Sequence, residues 1–99
     1  MLKHSDLLQF VRDMQADKYS YTVLADGTAV LMDIENLQVL SLNKTGSVLV
    51  QSLRNGETNT DSLAEIIAGE FSIDRETARS DTISFLEALL QQVGGNNSA

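Results

Sequence analysis

The sequence predicts an α+β fold in which strands precede helices. Apolar and polar residues alternate in residues 19–23, which is typical of a strand, and turn residues separate this segment from two further predicted strands, residues 28–34 and 37–42. From Asn43 onward the apolar residues recur at helical spacing. Because the strands are grouped before the helices and do not alternate with them, the pattern favours α+β over α/β.

The composition limits what the chain can be. It has 99 residues, of which 42% are hydrophobic, so we expect one small domain with an aliphatic core. It has no cysteine, which excludes disulfides, thiolate metal ligands and cysteine nucleophiles. Residues 29–32 are too short an apolar run to cross a bilayer, and polar residues interrupt residues 1–15 too often for a signal peptide. We therefore expect a cytoplasmic protein.

The charge is unevenly distributed. The net charge is -7, and residues 57–99 carry eight acidic side chains against two arginines. Nucleic acids and anionic membranes both require a basic surface, which this pattern does not supply. We therefore expect neither nucleic acid nor membrane as a partner.

Residues 5–15 predict a short amphipathic helix, with Ser5 as its cap. We assign residues 1–18 to an N-terminal helical extension. The apolar residues that recur at helical spacing in this segment are Leu7, Leu8, Phe10, Val11 and Met14.

Three strands follow this helix. Asp26 and Gly27 predict a two-residue type I′ turn between the first two strands, and Glu35 with Asn36 predicts the second turn. Connections this short predict an antiparallel meander whose third strand lies at an edge. The predicted strands cover residues 19–23, 28–34 and 37–42.

Three helices complete the domain. Asn43 or Thr45 caps the first, which ends at Asn55-Gly56, and the second starts at Thr60. Asp74 caps the third, which reaches about Val93 and has an unusually wide apolar face. A three-stranded sheet beside three helices is similar to a winged helix-turn-helix. We assign this domain to residues 19–93 and expect residues 94–99 to be a disordered tail.

The sequence carries few residues suited to catalysis. Its glycines form no phosphate-binding motif, and its acidic residues have no metal-loop spacing. His4, the single histidine, lies near the terminus, and Glu35 sits in a turn where it cannot share a strand face with Asp33. The pattern predicts a binding module that is not an enzyme, with no catalytic residue, metal or cofactor.

From Leu31 through Phe85 the sequence resembles the PqqD-like family of pyrroloquinoline quinone biosynthesis proteins, which includes the leader-peptide recognition domains of modified-peptide pathways, and the resemblance covers about residues 19–93. The most specific part is the Leu-Asn-x-Thr-Gly step at residues 42–46. The matching residues are Asp33, Glu35, Leu42, Asn43, Thr45, Gly46, Leu53, Gly56, Thr60, Leu63, Ile66, Ile67, Glu70, Phe71, Ile73, Asp74, Ala78, Asp81, Phe85, Leu86 and Leu89.

The chain departs from the family pattern at two positions. The family often has glycine at the position of Leu37 and tryptophan at the position of Val50. Because leucine resists a positive φ, we expect Asn36 to adopt the left-handed conformation in its place.

The resemblance implies a non-catalytic peptide chaperone. In the family, the leader segment of a ribosomal precursor peptide adds as a strand beside the third strand and packs in a groove with the third helix. It is then presented to a modifying enzyme, usually of the radical S-adenosylmethionine class. We expect Leu40 and Leu42 to face the core. The residues expected to bind peptide are Leu37, Gln38, Val39, Leu40, Ser41, Leu42, Arg79, Ile83, Glu87 and Leu90.

The sequence is also compatible with other functions. The chain could be a structural subunit that dimerises through the same edge strand, so either a monomer or a homodimer is expected. A DNA-binding winged helix is disfavoured by the acidic third helix. A further hypothesis is that residues 5–15 cover the groove until the guest peptide displaces them. Alternatively, Ile83 and Leu90 only pack against that N-terminal helix.

Overall fold

The computed structural model describes residues 2–94 and has the predicted α+β class and order of elements. The predicted tail, apart from Gly94 at the end of the last helix, lies outside the described residues. The elements are α1 (His4–Gln15), β1 (Tyr19–Val23), β2 (Ala29–Asp33), β3 (Gln38–Leu42), α2 (Lys44–Arg54), α3 (Thr60–Phe71) and α4 (Arg75–Gly94).

The three strands form an antiparallel sheet in the order β1-β2-β3, as the short connections predict. One face of β2 is buried, through Ala29, Leu31 and Asp33, whereas Val30 and Met32 on the other face are half-buried. This alternation follows from the two-residue period of a strand and places the helices against one face of the sheet. Within residues 2–94, β3 forms one edge of the sheet.

The turn between β1 and β2 differs from the prediction. A type I′ turn requires a positive φ at both central residues, but only Gly27 has one, at 89°. The Gly27 N–H donates to the Leu24 carbonyl at 3.0 Å, and the Leu24 N–H donates to the Thr28 carbonyl at 2.8 Å. The loop therefore has three residues, and the Asp26 carboxylate stabilises it by accepting from the Thr28 hydroxyl at 2.6 Å.

The turn between β2 and β3 also corrects the sequence analysis. Leu37, not Asn36, has the positive φ, at 55°. The Asp33 carboxylate accepts hydrogen bonds from the Glu35 and Asn36 backbone N–H groups, at 3.1 and 3.2 Å, and from the Asn36 side-chain amide at 2.8 Å. These bonds fix Asn36 inside the turn, so the left-handed step that leads the chain into β3 falls on Leu37.

Three helices begin at a capping side chain. Asn43, Asn59 and Asp74 each accept a hydrogen bond from the backbone N–H three residues further on. In α1 the capping position is Lys3, which makes no side-chain capping bond. The prediction that Ser5 caps this helix is wrong, because the helix begins one residue before Ser5.

The N-terminal helix is part of the core. Leu7, Phe10, Val11 and Met14 are all buried, and they belong to the same cluster as the buried residues of the sheet and of the other helices. The Phe10 ring lies 5.1 Å from the ring of Tyr19 on β1, measured between centroids. Through Phe10, α1 therefore contacts β1, the edge strand opposite β3.

Candidate functional site

The hydrogen bonds at the two ends of the β1–β2 ladder determine which way each β2 residue directs its backbone groups. The Leu24 N–H donates to the Thr28 carbonyl, and the Ile34 N–H donates to the Lys18 carbonyl at 3.1 Å. Hydrogen-bonded pairs alternate along an antiparallel ladder. The even-numbered residues of β2 therefore bond to β1, which leaves its odd-numbered residues, such as Leu31, to bond to β3.

The register extends this alternation to β3. Leu31 pairs with Leu40, and Met32 pairs with Val39. Leu40 and its alternate neighbours on β3 therefore bond to β2. Val39 and Ser41 direct their backbone N–H and C=O groups away from β2, toward the open edge of the sheet. No strand pairs with that edge in the part of the chain that the structure describes.

The side chains of β3 alternate as the sequence predicts. Leu42 is buried and Leu40 packs partly buried against the core. On the other face, Val39 is 59% exposed and Ser41 is also exposed. Leu37, next to the strand, is 79% exposed. The edge therefore combines open backbone groups with apolar side chains that contact water.

Arg79, the first of the predicted peptide-binding residues on α4, lies on the side of this helix that faces α3. Arg79 forms an ion pair with Asp61 of α3 at 3.4 Å, and Arg75 forms one with Glu65 at 3.2 Å. Both pairs are exposed to solvent, so each contributes little to stability. With Ala64, these four side chains line a shallow cavity of about 230 Å³ between the two helices. Arg79 thus contacts α3.

The other three predicted α4 residues follow Arg79 at steps of three or four residues, so they lie on the same side of the helix as Arg79. Ile83 is half-buried, and Leu90 packs partly buried against the core that includes α1. Glu87 is exposed. As peptide contacts, these four residues remain a prediction.

Phe85 of α4 contacts the first turn of α2, which follows β3 in the chain. It lies about 120° around the helix axis from Arg79. A β-carbon on Gly46, in the first turn of α2, would lie 2.6 Å from Cε1 of Phe85. The sequence analysis treated Phe85 only as a matching apolar residue. The signal that pointed to its position was Gly46 itself, since a glycine in a helix often marks a close approach.

This contact explains the Leu-Asn-x-Thr-Gly step. Leu42 ends β3 with a buried side chain. Asn43 then caps α2 by accepting from the Gly46 N–H at 2.8 Å. Gly46 leaves the space that the ring of Phe85 occupies. The three residues therefore join the edge strand, the next helix and α4 at one point.

The contacts of α1 are with β1, α2 and α4, and the hypothesis that residues 5–15 cover the groove stays a prediction. Phe10 packs on Tyr19 of β1, and α1 packs against α2 and α4. The buried face of this helix packs into the core that the sheet and the other helices share.

The shifted pKa values belong to groups with structural roles. Burial, reinforced by the negative charge of Asp33, raises the pKa of Tyr19 from 10.0 to about 12. Hydrogen bonds from Thr28 lower the pKa of Asp26, and hydrogen bonds from Thr77 lower that of Asp74. These two carboxylates stabilise a turn and a helix start, and none of the three groups is on β3.

Residues 2–94 contain neither a metal-binding cluster nor a membrane-spanning helix. No group of three or more His, Asp or Glu side chains is placed to hold a metal ion. No helix is both long enough and apolar enough to cross a membrane.

Residues 28–92 match the model of a protein family described as coenzyme PQQ synthesis protein D. The chain belongs to the PqqD family. The match covers β2 to α4 and includes both the open β3 edge and the Gly46–Phe85 contact, whereas α1 and β1 lie outside it. The PqqD-like domain that we assign to residues 19–93 therefore extends beyond the matched segment by one strand, and its boundaries stay a prediction.

A solved structure supports the same assignment. The chain is similar to TbiB1, whose structure was determined in complex with the TbiA(beta) leader peptide. The identity is 26%, the alignment covers 77% of this chain and 86% of TbiB1, and the TM-score is 0.67. Comparison with curated proteins gives no match.

Proposed function

We propose that this member of the PqqD family binds the leader segment of a ribosomally made precursor peptide. The guest adds as a fourth, antiparallel strand along β3, and the protein presents it to a modifying enzyme. The partner is a peptide that becomes ordered on binding and not a small molecule, because the site is a backbone edge and not a deep pocket.

The open edge of β3 carries this proposal. Val39 and Ser41 direct two N–H donors and two C=O acceptors outward, which is the pattern that an added strand requires. The exposed side chains of Leu37 and Val39 next to these groups are apolar, so their contact with water is unfavourable and a guest that covers them gains free energy. The leader peptide bound to TbiB1 supports the class of guest.

The role is non-catalytic in this proposal. The chain contributes the binding edge, and the modifying enzyme, which we propose to be of the radical S-adenosylmethionine class, performs the chemistry. With no cysteine, the chain itself supplies no thiolate ligands for an iron–sulfur cluster.

The substitution Ser41→Pro tests the proposal. Proline removes the N–H that faces the guest but leaves the hydrogen bonds between β2 and β3 intact, because those bonds use the alternate residues. The matched control is Ser41→Ala, which removes the hydroxyl and keeps the N–H. The probes are two fluorescein-labelled peptides: the leader of the precursor encoded nearest to this gene, and the TbiA(beta) leader peptide.

Fluorescence anisotropy should give wild-type affinity for Ser41→Ala and a loss of roughly tenfold or more for Ser41→Pro. Circular dichroism and thermal unfolding establish that both variants fold. If Ser41→Pro folds and binds as tightly as the wild type, strand addition at this edge is refuted. If the wild type binds neither peptide, the proposed function is wrong.

A further inference from the structure

We infer that the outer face of the sheet, at Val39, binds an aliphatic or aromatic side chain of the guest peptide. This inference rests on the proposed function and adds a second specificity contact to it. It concerns the face that points away from the helices, whereas Leu40 and Leu42 point into the core on the other face.

The direction of the Val39 backbone fixes the position of the guest side chain. Val39 presents its N–H and C=O to the open edge, so an antiparallel guest residue must form a hydrogen-bonded pair with it. Residues that are directly opposite in such a pair have side chains on the same face, with Cβ atoms about 5.5 Å apart. The guest residue opposite Val39 therefore places its side chain on the outer face, next to the valine.

On the outer face of the sheet, the residues nearest to Val39 are apolar, whereas the next residue across the sheet, on β1, is polar. Met32 lies directly across from it on β2 and is half-buried although it is on the outer face. Leu37, two residues before Val39, is 79% exposed. The next residue in the row, across from Met32 on β1, is Ser20. The apolar surface therefore lies at the β3 side, where an added strand would extend it.

The conformation of Leu37 supports this assignment. A left-handed φ of 55° disfavours any β-carbon, and this position nevertheless carries a large side chain that contacts water. Leu37, next to the open edge, is both strained and exposed. A leucine at this position therefore contributes little to the stability of the fold. Leu37 directly precedes β3, so its exposed side chain lies at one end of the open edge.

The substitution Val39→Thr tests the inference. Threonine keeps the β-branched shape and the backbone hydrogen bonds but replaces one methyl group with a hydroxyl. The matched control is Val23→Thr on β1, because Val23 is a similarly exposed valine, at 51%, on the opposite edge strand. Binding is measured by anisotropy with the same two labelled leader peptides.

We expect Val39→Thr to weaken binding by roughly two- to fivefold and Val23→Thr to leave it unchanged. An alanine scan of the bound peptide should find one apolar position whose substitution has a large effect on the wild type and a small effect on Val39→Thr. That coupling identifies the guest residue opposite Val39.

The outcomes separate this inference from the proposed function. If Val39→Thr binds like the wild type while Ser41→Pro loses binding, strand addition stands and the outer-face contact is wrong. If the wild type binds neither peptide, both fall. If light scattering finds a dimer that Val39→Thr dissociates, the occupant of this surface is a second copy, and the inference is overturned.

Discussion

Gly46 at the start of α2 and Phe85 on α4 are in a contact that leaves no room for a β-carbon. An alanine methyl at position 46 would lie 2.6 Å from Cε1 and 3.0 Å from Cζ of the Phe85 ring. Gly46 is buried and Phe85 is partly buried against the core, so a larger residue at position 46 requires the ring to move. The contact joins α4 to α2, the helix that follows the edge strand, and helps to fix the position of one helix relative to the other.

Gly46→Ala should therefore destabilise the fold by about 1–3 kcal/mol, as overpacking does. The control is Gly69→Ala in α3, where an added β-carbon meets nothing within 4 Å. That change should stabilise the protein by about 0.5–1 kcal/mol through helix propensity alone. Urea unfolding measures both.

The cause is checked by a double-mutant cycle with Phe85→Leu. If the ring produces the clash, Gly46→Ala should cost much less in the Phe85→Leu background than in the wild type. An equal cost in both backgrounds would mean that the Phe85 ring is not what requires a glycine at this position.

Thr82 on α4 is fully buried, and its hydroxyl has no hydrogen-bond partner among the described residues. A buried hydroxyl without a partner is less favourable than a methyl group of the same size. Thr82→Val should therefore leave the free energy of unfolding unchanged or raise it by about 1 kcal/mol.

Thr22→Val is the control for Thr82→Val, since Thr22 is an exposed threonine on β1. It should change stability by no more than about 0.5 kcal/mol. A loss of more than 1 kcal/mol in Thr82→Val, well above the control, would show that the buried hydroxyl is hydrogen-bonded in solution.

The raised pKa of Tyr19 predicts a loss of stability in alkali. Burial and the nearby Asp33 carboxylate raise it from 10.0 to about 12, so the unfolded chain releases this proton at a lower pH than the folded protein. The Tyr19 contribution is fully present below pH 10 and is lost as the pH rises toward 12. Urea unfolding between pH 8 and 12 should show this fall, and Tyr19→Phe should reduce it.

Tyr21→Phe serves as the comparison, because the Tyr21 hydroxyl donates to the Ser47 carbonyl at 2.8 Å. Losing that bond should lower stability by about 1 kcal/mol already at pH 8. If Tyr19→Phe loses stability between pH 10 and 12 as steeply as the wild type, Tyr19 is not the group responsible.

The N-terminal helix should be required for folding. Removing residues 1–17 deletes four buried apolar side chains, each worth about 1.5–3 kcal/mol, which together approach the total stability of a small domain. We expect the truncated chain to lose cooperative thermal unfolding. If the truncated chain folds normally and binds leader peptide more tightly than the full chain, the result would support the hypothesis that this helix covers the groove.

A single substitution tests the same helix in the full chain. Leu7→Ala should destabilise the fold by about 2–5 kcal/mol, because Leu7 is completely buried. Gln9→Ala, on the exposed face of the same helix, should change stability by less than about 0.5 kcal/mol. Equal effects in the two variants would contradict a packed α1.

Much of the fold was predictable from periodicity. The alternation in residues 38–42 predicted that Leu40 and Leu42 face the core, and the short connections predicted that β3 lies at an edge. Both turns were predicted in place but not in type. In each case a carboxylate decided the geometry, that of Asp26 or Asp33, through hydrogen bonds to neighbouring backbone groups that composition does not reveal.

The sequence by itself determined the order of the elements and the presence of an open apolar edge, because these follow from local spacing and from the length of the connections. Only the tertiary structure decided that α1 packs at the β1 edge and that Phe85 meets Gly46 while Arg79 pairs with α3. The physical reason is that helical spacing shows which face of a helix is apolar, whereas the partner of that face depends on how all the elements pack together.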